Sequence, residues 1–186
     1  MTKLILASGS PRRKELLTEL GYSFEVIPSN IDESLNLSNP IEEEMIKLSF
    51  NKAFSVFKNH KDSIVIGADT IVYKDNIIYG KPKDKEDAYR MIKELNDSSH
   101  EVLTAVSIIS KEKSESFYTK TTVTFDKLSD EEIKKYVNNN EVIDKAGAYA
   151  IQGEAKKFIK SINGDYYSVM GFPVSEINKR LKKYYE

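Results

Sequence analysis

The sequence predicts an α/β protein built on a mixed β-sheet flanked by helices, and three observations support this fold class. Apolar segments of strand length alternate with segments of helical periodicity along the 186-residue chain. Residues 64–73 are apolar enough for a central strand. Strands expected at 102–109 and 117–125 are separated by a short polar stretch typical of a hairpin, which makes the sheet mixed rather than wholly parallel.

Strands and helices alternate in the first part of the chain. A buried strand at 4–7 precedes a helix at 11–20, and Gly21 suits the position just after a helix end. A short strand is expected at 24–27. The segment Asn39-Pro40-Ile41-Glu42 combines a capping residue, a proline and an acidic first turn, so it predicts the start of a long helix.

Capping signals continue in the second part of the chain. Asp84 is expected to cap a helix whose apolar residues 88, 91, 92 and 95 follow helical spacing. Ser129 and Glu132 form a capping box for the next helix. A last helix begins near Pro173. Residues 77–79 are expected to pair with the central strand, and residues 148–159 fit either a strand or a loop.

Composition excludes several classes of protein. The net charge of −1 gives no basic field for nucleic acid, so any affinity for phosphate must be local. The absence of cysteine excludes disulfides and thiolate catalysis and is typical of a reducing cytoplasm. We expect no signal peptide, because the sequence enters the first strand directly, and no apolar run approaches the roughly 20 residues of a membrane span. We expect a cytoplasmic protein with one domain over 1–186, whose two lobes surround one cleft.

A basic turn follows the first strand, at Ser8-Gly9-Ser10-Pro11-Arg12-Arg13-Lys14. Ser10 suits the N-cap and Pro11 the first helical position. Basic residues have the wrong sign for a helix N-terminus, because the helix dipole is already positive there. They fit an anion held by the side chains and by free backbone amides, so this turn predicts a phosphate site. The alternative is a solvated basic surface.

Acidic residues occur at two places that could carry chemistry. Asp69 lies inside an apolar strand, where a carboxylate is costly unless it is paired, hydrogen-bonded or metal-bound. We expect a general base or a metal ligand there, with Gly67 and Ala68 leaving room for close approach; the alternative is a strand-end Asp that caps a turn. Asp32 and Glu33 lie in a loop, where such pairs are usually solvated but can position a metal or water.

Two lysines and a glutamine are further candidates for ligand binding. Lys81, held between Gly80 and Pro82, could bind phosphate as a point charge, although a lysine in a turn is more often a surface residue. Lys52 is one of many helical lysines. Gln152 could read a base edge through its amide, with a buried structural role as the alternative.

Histidine chemistry is not expected. His60 and His100 are the only histidines; His60 ends a charged helix, and His100 is expected among polar turn residues. Neither has the spacing of a metal site or a catalytic triad.

These motifs, in this order, resemble the Maf family of nucleoside triphosphate pyrophosphatases, which is linked to septum formation. The resemblance runs over nearly the whole chain, from Leu4 to Pro173. The matching segments are Leu-Ala-Ser-Gly-Ser-Pro-Arg-Arg at 6–13, Ile-Asp-Glu at 31–33, Asn-Lys-Ala at 51–53, Gly-Ala-Asp-Thr at 67–70, Gly-Lys-Pro at 80–82, Asp-Lys-Ala-Gly-Ala-Tyr at 144–149, Ile-Gln-Gly at 151–153 and Gly-Phe-Pro at 171–173.

The resemblance implies a fold of the inosine-triphosphatase-like, Maf/Ham1 type, with an elongated curved sheet and a cleft between two lobes. It implies a hydrolase that cleaves a nucleoside triphosphate to the monophosphate and pyrophosphate with a divalent cation, Mg²⁺ or Mn²⁺. Asp69 matches the family's proton acceptor. The remaining matches are substrate-preference positions at Arg12, Thr70 and Gln152, and other active-site positions at Ser8, Arg13, Glu33, Lys52 and Lys81.

The variable motifs resemble the branch of the family that prefers dTTP and UTP rather than 7-methyl-GTP. They are Ser-Pro-Arg-Arg, Ala-Asp-Thr and Ile-Gln-Gly in this chain. We expect Ser8, Arg12, Arg13, Lys52 and Lys81 to bind phosphate, and Glu33 and Asp69 to bind the metal. The sequence does not decide whether Asp69 acts as base or as metal ligand.

Two other functions remain open at this stage. One is an enzyme of the same fold that hydrolyses purine triphosphates such as ITP. The other is a regulatory protein that binds nucleotide and acts on septation through a partner. A homodimer is compatible with the sequence, which does not reveal the oligomeric state.

Overall fold

The computed structural model describes residues 2–186 and has the predicted mixed α/β architecture. Its strands are β1 (Lys3–Leu6), β2 (Phe24–Val26), β3 (Ser63–Lys74), β4 (Ile77–Tyr79), β5 (Ser99–Ile109), β6 (Ser114–Phe125) and β7 (Ile159–Asn163). Its α-helices are α1 (Pro11–Glu19), α2 (Ile41–Phe57), α3 (Lys85–Leu95), α4 (Asp130–Asn139), α5 (Tyr166–Val169) and α6 (Val174–Tyr185). Short 3₁₀ helices lie at Ala146–Ala148 and Gly153–Lys157.

The strands form one seven-stranded sheet in the order β2-β1-β3-β5-β6-β7, with β4 paired to β3. β1 runs parallel to β2 and to β3, so that Leu4 lies between Phe24 and Ile64. β3 pairs antiparallel with β4, and β6 pairs antiparallel with β7. Parallel and antiparallel pairs therefore coexist, and the prediction of a mixed sheet is confirmed.

The chain divides into two compact units. The first comprises the residues up to Asp69 together with 104–119 and 171–186, and the second comprises 70–103 and 120–170. In the first unit a buried cluster that includes Ile5, Ala53 and Val65 packs α2 against the sheet. In the second unit, buried residues such as Ile92 and Phe125 form a separate cluster. Each unit therefore has its own apolar core.

The predicted capping signals are confirmed at three helices. The Ser10 hydroxyl accepts a bond from the Arg13 amide at the start of α1. The Asp84 carboxylate accepts from the Asp87 amide, and all four predicted apolar residues of α3 are buried. Ser129 and Glu132 form the full capping box of α4. Local side-chain chemistry thus determines where these helices begin.

The start of α2 differs from the prediction. Pro40 occupies the N-cap position, and no side chain caps the helix. The Asn39 amide instead donates to Glu44 Oε1 at 2.7 Å. Asn39 therefore holds the loop to the helix through a side-chain contact and does not cap the backbone.

Residues 148–159 and His100 also differ from what the sequence suggested. The segment 148–158 forms neither a strand nor a plain loop, since it contains the 3₁₀ helix Gly153–Lys157, and β7 begins only at Ile159. His100 lies within β5 and is 2% exposed, so its placement among turn residues was wrong. β7 and α5 were not predicted. β7 has partly exposed, weakly alternating side chains, and α5 is a single turn capped by Asp165.

None of the helices within residues 2–186 combines the length and the apolar composition that crossing a bilayer requires.

Candidate functional site

The basic turn begins where β1 ends. The Ala7 amide donates to the Ile66 carbonyl at 2.8 Å, which is the last backbone bond between β1 and β3. The chain then turns, and Ser10 and Pro11 start α1 as predicted. Because Pro11 has no N–H and the Arg13 amide donates to Ser10, the first turn offers fewer free amides than we expected. The Arg12 amide is the one in that turn that no residue within 2–186 engages.

The two arginines of this turn have different environments. Arg13 is buried, and its Nε donates to the Gly171 carbonyl at 2.8 Å. Its Nη1 donates to Ser8 Oγ and to the Ala68 carbonyl, each at 3.1 Å. Burial lowers the pKa of the Arg13 guanidinium from its usual value. Arg12 is half-buried, and its guanidinium makes no hydrogen bond or ion pair with any residue of the described chain.

Gly67 brings helix α2 against strand β3. A Cβ at Gly67 would lie 2.5 Å from the Ser49 carbonyl oxygen and 2.6 Å from the Ala53 amide nitrogen. The space that we expected Gly67 to leave for a ligand is therefore occupied by the helix backbone. The close packing places Lys52, which precedes Ala53, beside Asp69. Gly67 acts on the site indirectly, by letting the helix approach.

Lys52 joins two carboxylates. Its Nζ lies 2.8 Å from Asp69 Oδ1 and 2.8 Å from Glu33 Oε1. The side chains are 7% exposed for Lys52, 17% for Asp69 and 60% for Glu33, so the cluster runs from the interior to the surface. Asp69 is thus paired, as a carboxylate in an apolar strand requires, and Lys52 is not a surface lysine.

Two carboxylates, those of Glu33 and Asp69, converge at this place. Within residues 2–186 there is no group of three or more histidine, aspartate or glutamate side chains that could hold a metal ion. Mg²⁺ in nucleotide enzymes is often bound by one or two carboxylates together with substrate phosphates. Glu33 and Asp69 supply carboxylate oxygens, the ligand type of such a cation, but the point where they converge already holds the Lys52 ammonium.

The second unit holds the other predicted residues. Lys81 is exposed in the loop after β4, and the carbonyl of its neighbour Gly80 accepts from the Gly147 amide at 3.1 Å. Gln152 is exposed and precedes the 3₁₀ helix without capping it through its side chain. The alternative of a buried structural Gln152 is therefore wrong. Thr70, on β3, is half-buried.

The segment before Gln152 is held by residues that the sequence did not single out. Gly147 has φ +67°, and a Cβ there would lie 2.9 Å from Val72 Cγ2. Tyr149 is buried, and its hydroxyl lies 2.6 Å from His100 Nε2. Burial lowers the pKa of His100 to about 4 and raises that of the Tyr149 hydroxyl. The sequence offered one sign that His100 is buried: it lies two residues before Val102 and so shares the same face of the strand.

The predicted site residues thus fall into two sets. The first unit holds Ser8, Arg12, Arg13, Glu33, Lys52 and Asp69, and the second holds Thr70, Lys81 and Gln152. Within the first unit, Lys52 brings Asp69 and Glu33 together, and Arg13 contacts Ser8 and the peptide before Asp69.

Comparison with known proteins identifies the family. The model of the family described as Maf-like protein matches residues 3–184. The chain belongs to the Maf-like protein family. Among its relatives, a protein of Bacillus anthracis (strain CDC 684) is 47% identical over 99% of this chain and 96% of its own length. One of Bacillus cereus (strain G9842) is 46% identical over the same shares. Both relatives are named dTTP/UTP pyrophosphatase.

Solved structures show the fold of this Maf-like chain. The Ham1 protein of Staphylococcus aureus matches with a TM-score of 0.56 and 14% identity, over 98% of this chain and 99% of its own. A HAM1 protein of Coxiella burnetii matches with a TM-score of 0.54 and 12% identity, over 98% of this chain and 100% of its own. At these identities the likeness concerns the fold alone, and it agrees with the predicted Maf/Ham1 type.

Proposed function

We propose that this chain hydrolyses dTTP and UTP to the nucleoside monophosphate and pyrophosphate. The observation that carries the proposal is its 47% identity, over 99% of its length, to a relative named dTTP/UTP pyrophosphatase. The Lys52–Asp69 pair supports the proposal, because it holds a carboxylate at a fixed position in the otherwise apolar strand β3.

Basic side chains have to neutralise the triphosphate before a nucleophile can approach it. Arg12 is available for this role, since its guanidinium has no partner within residues 2–186. Lys81 is exposed and adds a mobile point charge, and Lys52 carries a buried one. The resemblance also implies Ser8 and Arg13 for this role, although the Arg13 guanidinium already bonds to Ser8 and to two backbone carbonyls. These residues would counter the roughly four negative charges of the triphosphate, although the protein itself is close to neutral.

Asp69 is the proposed proton acceptor. Lys52 donates to its Oδ1, which fixes the carboxylate and leaves Oδ2 to accept a proton. In the proposed reaction a water oxygen attacks the α-phosphorus while its proton passes to Asp69. The bond between the α-phosphorus and the bridging oxygen breaks, and the electron pair leaves with pyrophosphate.

Glu33 and Asp69 are the residues that would hold a divalent cation, Mg²⁺ or Mn²⁺. Such a cation would supply positive charge to offset the negative charge of the phosphates and would make water easier to deprotonate. Carboxylate oxygens are the ligand type that such a cation prefers, and the resemblance implies the same pair.

Gln152, with Thr70 and Arg12, is proposed to select the base. Uracil and thymine present an N–H between two carbonyls, and an exposed primary amide supplies both a donor and an acceptor for that edge. A polar site of this kind rejects a base that leaves its groups unpaired. Purine triphosphates are therefore expected to be poor substrates.

The experiment is a pyrophosphate-release assay with dTTP, UTP, CTP, GTP and ITP, in Mg²⁺ and in EDTA. We expect turnover of dTTP and UTP that EDTA abolishes, and little turnover of GTP or ITP. A preference for ITP would contradict the proposal and indicate an enzyme that hydrolyses purine triphosphates. Tight binding of dTTP without turnover would also contradict the proposal and indicate a regulatory nucleotide-binding protein.

Cytoplasmic location, assembly as a homodimer and a link to septum formation stay predictions. So does the absence of nucleic-acid and membrane partners. Cell fractionation tests the location, and light scattering tests the assembly. Cell morphology after overexpression tests the link to septum formation.

A further inference from the structure

The carbonyl of Ala68 lies just past the end of the backbone ladder between β1 and β3. Ala7 donates to Ile66, and in a parallel pair the next donor would come two residues later, from Gly9 to Ala68. The chain turns away before that bond can form, because residues 8–10 lead into α1. A buried carbonyl left without a donor would be costly.

The Arg13 guanidinium supplies the missing donor. Its Nη1 lies 3.1 Å from the Ala68 carbonyl oxygen, and the same nitrogen contacts Ser8 Oγ at 3.1 Å. Its Nε lies 2.8 Å from the carbonyl of Gly171, in the segment before α6. Two nitrogens of one planar group thus tie the middle of β3 to the basic turn and to the segment before the last helix.

The bonded peptide is the one that precedes Asp69. The carbonyl of Ala68 and the amide of Asp69 share one rigid plane, so fixing the carbonyl also fixes the peptide plane that leads into the Asp69 Cα. Lys52 holds the far end of the same side chain at Oδ1. Arg13 therefore determines the backbone orientation of Asp69, and Lys52 determines the position of its carboxylate.

We propose that Arg13 is a positioning residue for Asp69, and that it holds the Ala68 peptide rather than the triphosphate. The inference rests on the proposed function for its kinetic consequence, and on the hydrogen bonds alone for its structural one. The two adjacent arginines then have different roles: Arg12 binds phosphate, and Arg13 positions the peptide before Asp69.

The substitution Arg13→Lys separates the two roles. Arg13→Lys keeps the positive charge but replaces the rigid planar fork with a single ammonium nitrogen, which cannot occupy the positions of Nε and Nη1 together. Arg12→Lys is the matched control, because it makes the same change one residue away on a guanidinium that bonds to no residue within 2–186.

The first measurement is steady-state hydrolysis of dTTP by the wild-type protein and both variants, with thermal unfolding of each. For Arg13→Lys we expect kcat to fall about 100-fold, the cost of a misplaced catalytic group, with KM within about 3-fold of wild type. For Arg12→Lys we expect KM to rise and kcat to change less. A rise in KM for Arg13→Lys with kcat preserved would show a phosphate ligand and overturn the proposal.

A second measurement needs neither a stable variant nor turnover. A crystal structure of the wild-type protein with a non-hydrolysable dTTP analogue is expected to keep Nε on Gly171 and Nη1 on Ala68. Either nitrogen found on a phosphate oxygen would overturn the proposal.

If the wild-type protein does not cleave dTTP at all, the ¹³C′ NMR shift of the Ala68 carbonyl still tests the proposed hydrogen bond. It is expected to move upfield in Arg13→Lys, and an unchanged shift would contradict the assignment.

Discussion

The ammonium of Lys52 on α2 lies 2.8 Å from the Asp69 carboxylate on β3, and the glycine two residues before Asp69 makes this contact possible. Gly67 lets the backbone of α2 lie against the strand where any side chain would collide. The chemistry of the proposed site thus depends on helix–sheet packing as much as on the charged residues.

Gly67→Ala is expected to separate α2 from β3. Its Cβ would meet backbone atoms of the helix at 2.5 and 2.6 Å, which cannot move aside as a flexible side chain could. We expect a loss of about 1–3 kcal/mol in the free energy of unfolding, the usual cost of overpacking, together with a fall in kcat. Urea unfolding and dTTP hydrolysis measure the two effects.

Gly80→Ala is the control for this change, since a Cβ there would have no heavy atom within 4 Å. It is expected to leave stability within about 0.5 kcal/mol of wild type. If both variants unfolded at the same urea concentration as wild type, the packing argument for Gly67 would be wrong.

Lys52→Met is expected to impair catalysis more than nucleotide binding. The change removes the donor that holds Asp69 Oδ1 and leaves two carboxylates facing each other. We expect kcat for dTTP to fall about 100-fold or more, with a smaller rise in KM. Lys47→Met, an exposed lysine on the same helix, is the control and is expected to match wild type. Equal activity of Lys52→Met and Lys47→Met would remove Lys52 from the site.

Gln152→Glu is expected to change substrate preference while stability stays near that of wild type. The side chain is exposed, so its loss costs little folding energy, but a carboxylate cannot donate to a pyrimidine carbonyl. We expect the ratio of kcat/KM for dTTP over GTP to fall about tenfold or more. Glu154→Gln, an exposed residue two positions on, controls for a general charge effect. An equal loss on every nucleotide would contradict base reading.

His100 is expected to make the protein less stable below pH 6.5. Burial holds the folded-state pKa at about 4, against 6.5 for an ordinary histidine, and the nearby Lys74 charge acts in the same direction. Above pH 6.5 neither state binds the proton. Between pH 6.5 and 4 only the unfolded state does, so stability falls as the pH falls. The full loss is about 3 kcal/mol, at 1.36 kcal/mol for each unit of pKa.

Urea unfolding of the wild-type protein, His100→Gln and His60→Gln at pH 7.5, 6, 5 and 4.5 measures this effect. The slope of stability against pH is expected to be smaller in His100→Gln and unchanged in His60→Gln. A wild-type slope in His100→Gln would show that another group causes the acid sensitivity.

Elements with local signals were predictable from the sequence. Asp84 and the apolar spacing of α3 determined that helix within one residue, and the polar stretch at 110–116 correctly joined two strands. Local chemistry did not predict β7, because its alternation is weak and its pairing with β6 is a long-range contact.

The sequence named candidate site residues, but it did not predict the contacts between them. The apolar strand around Asp69 required a partner, yet nothing local identified Lys52 among the many lysines of the chain. Arg13 and Arg12 are neighbours of the same type, and only the fold shows that one is buried on backbone carbonyls. His100 was missed because its partner, Tyr149, lies far along the chain.

The most direct measurement is hydrolysis of dTTP in ¹⁸O-labelled water by the wild-type protein and by Asp69→Asn, with mass analysis of both products. We expect label in the dTMP phosphate and none in pyrophosphate, with turnover nearly lost in a folded Asp69→Asn. Label in pyrophosphate, or an Asp69→Asn variant as active as wild type, would contradict it.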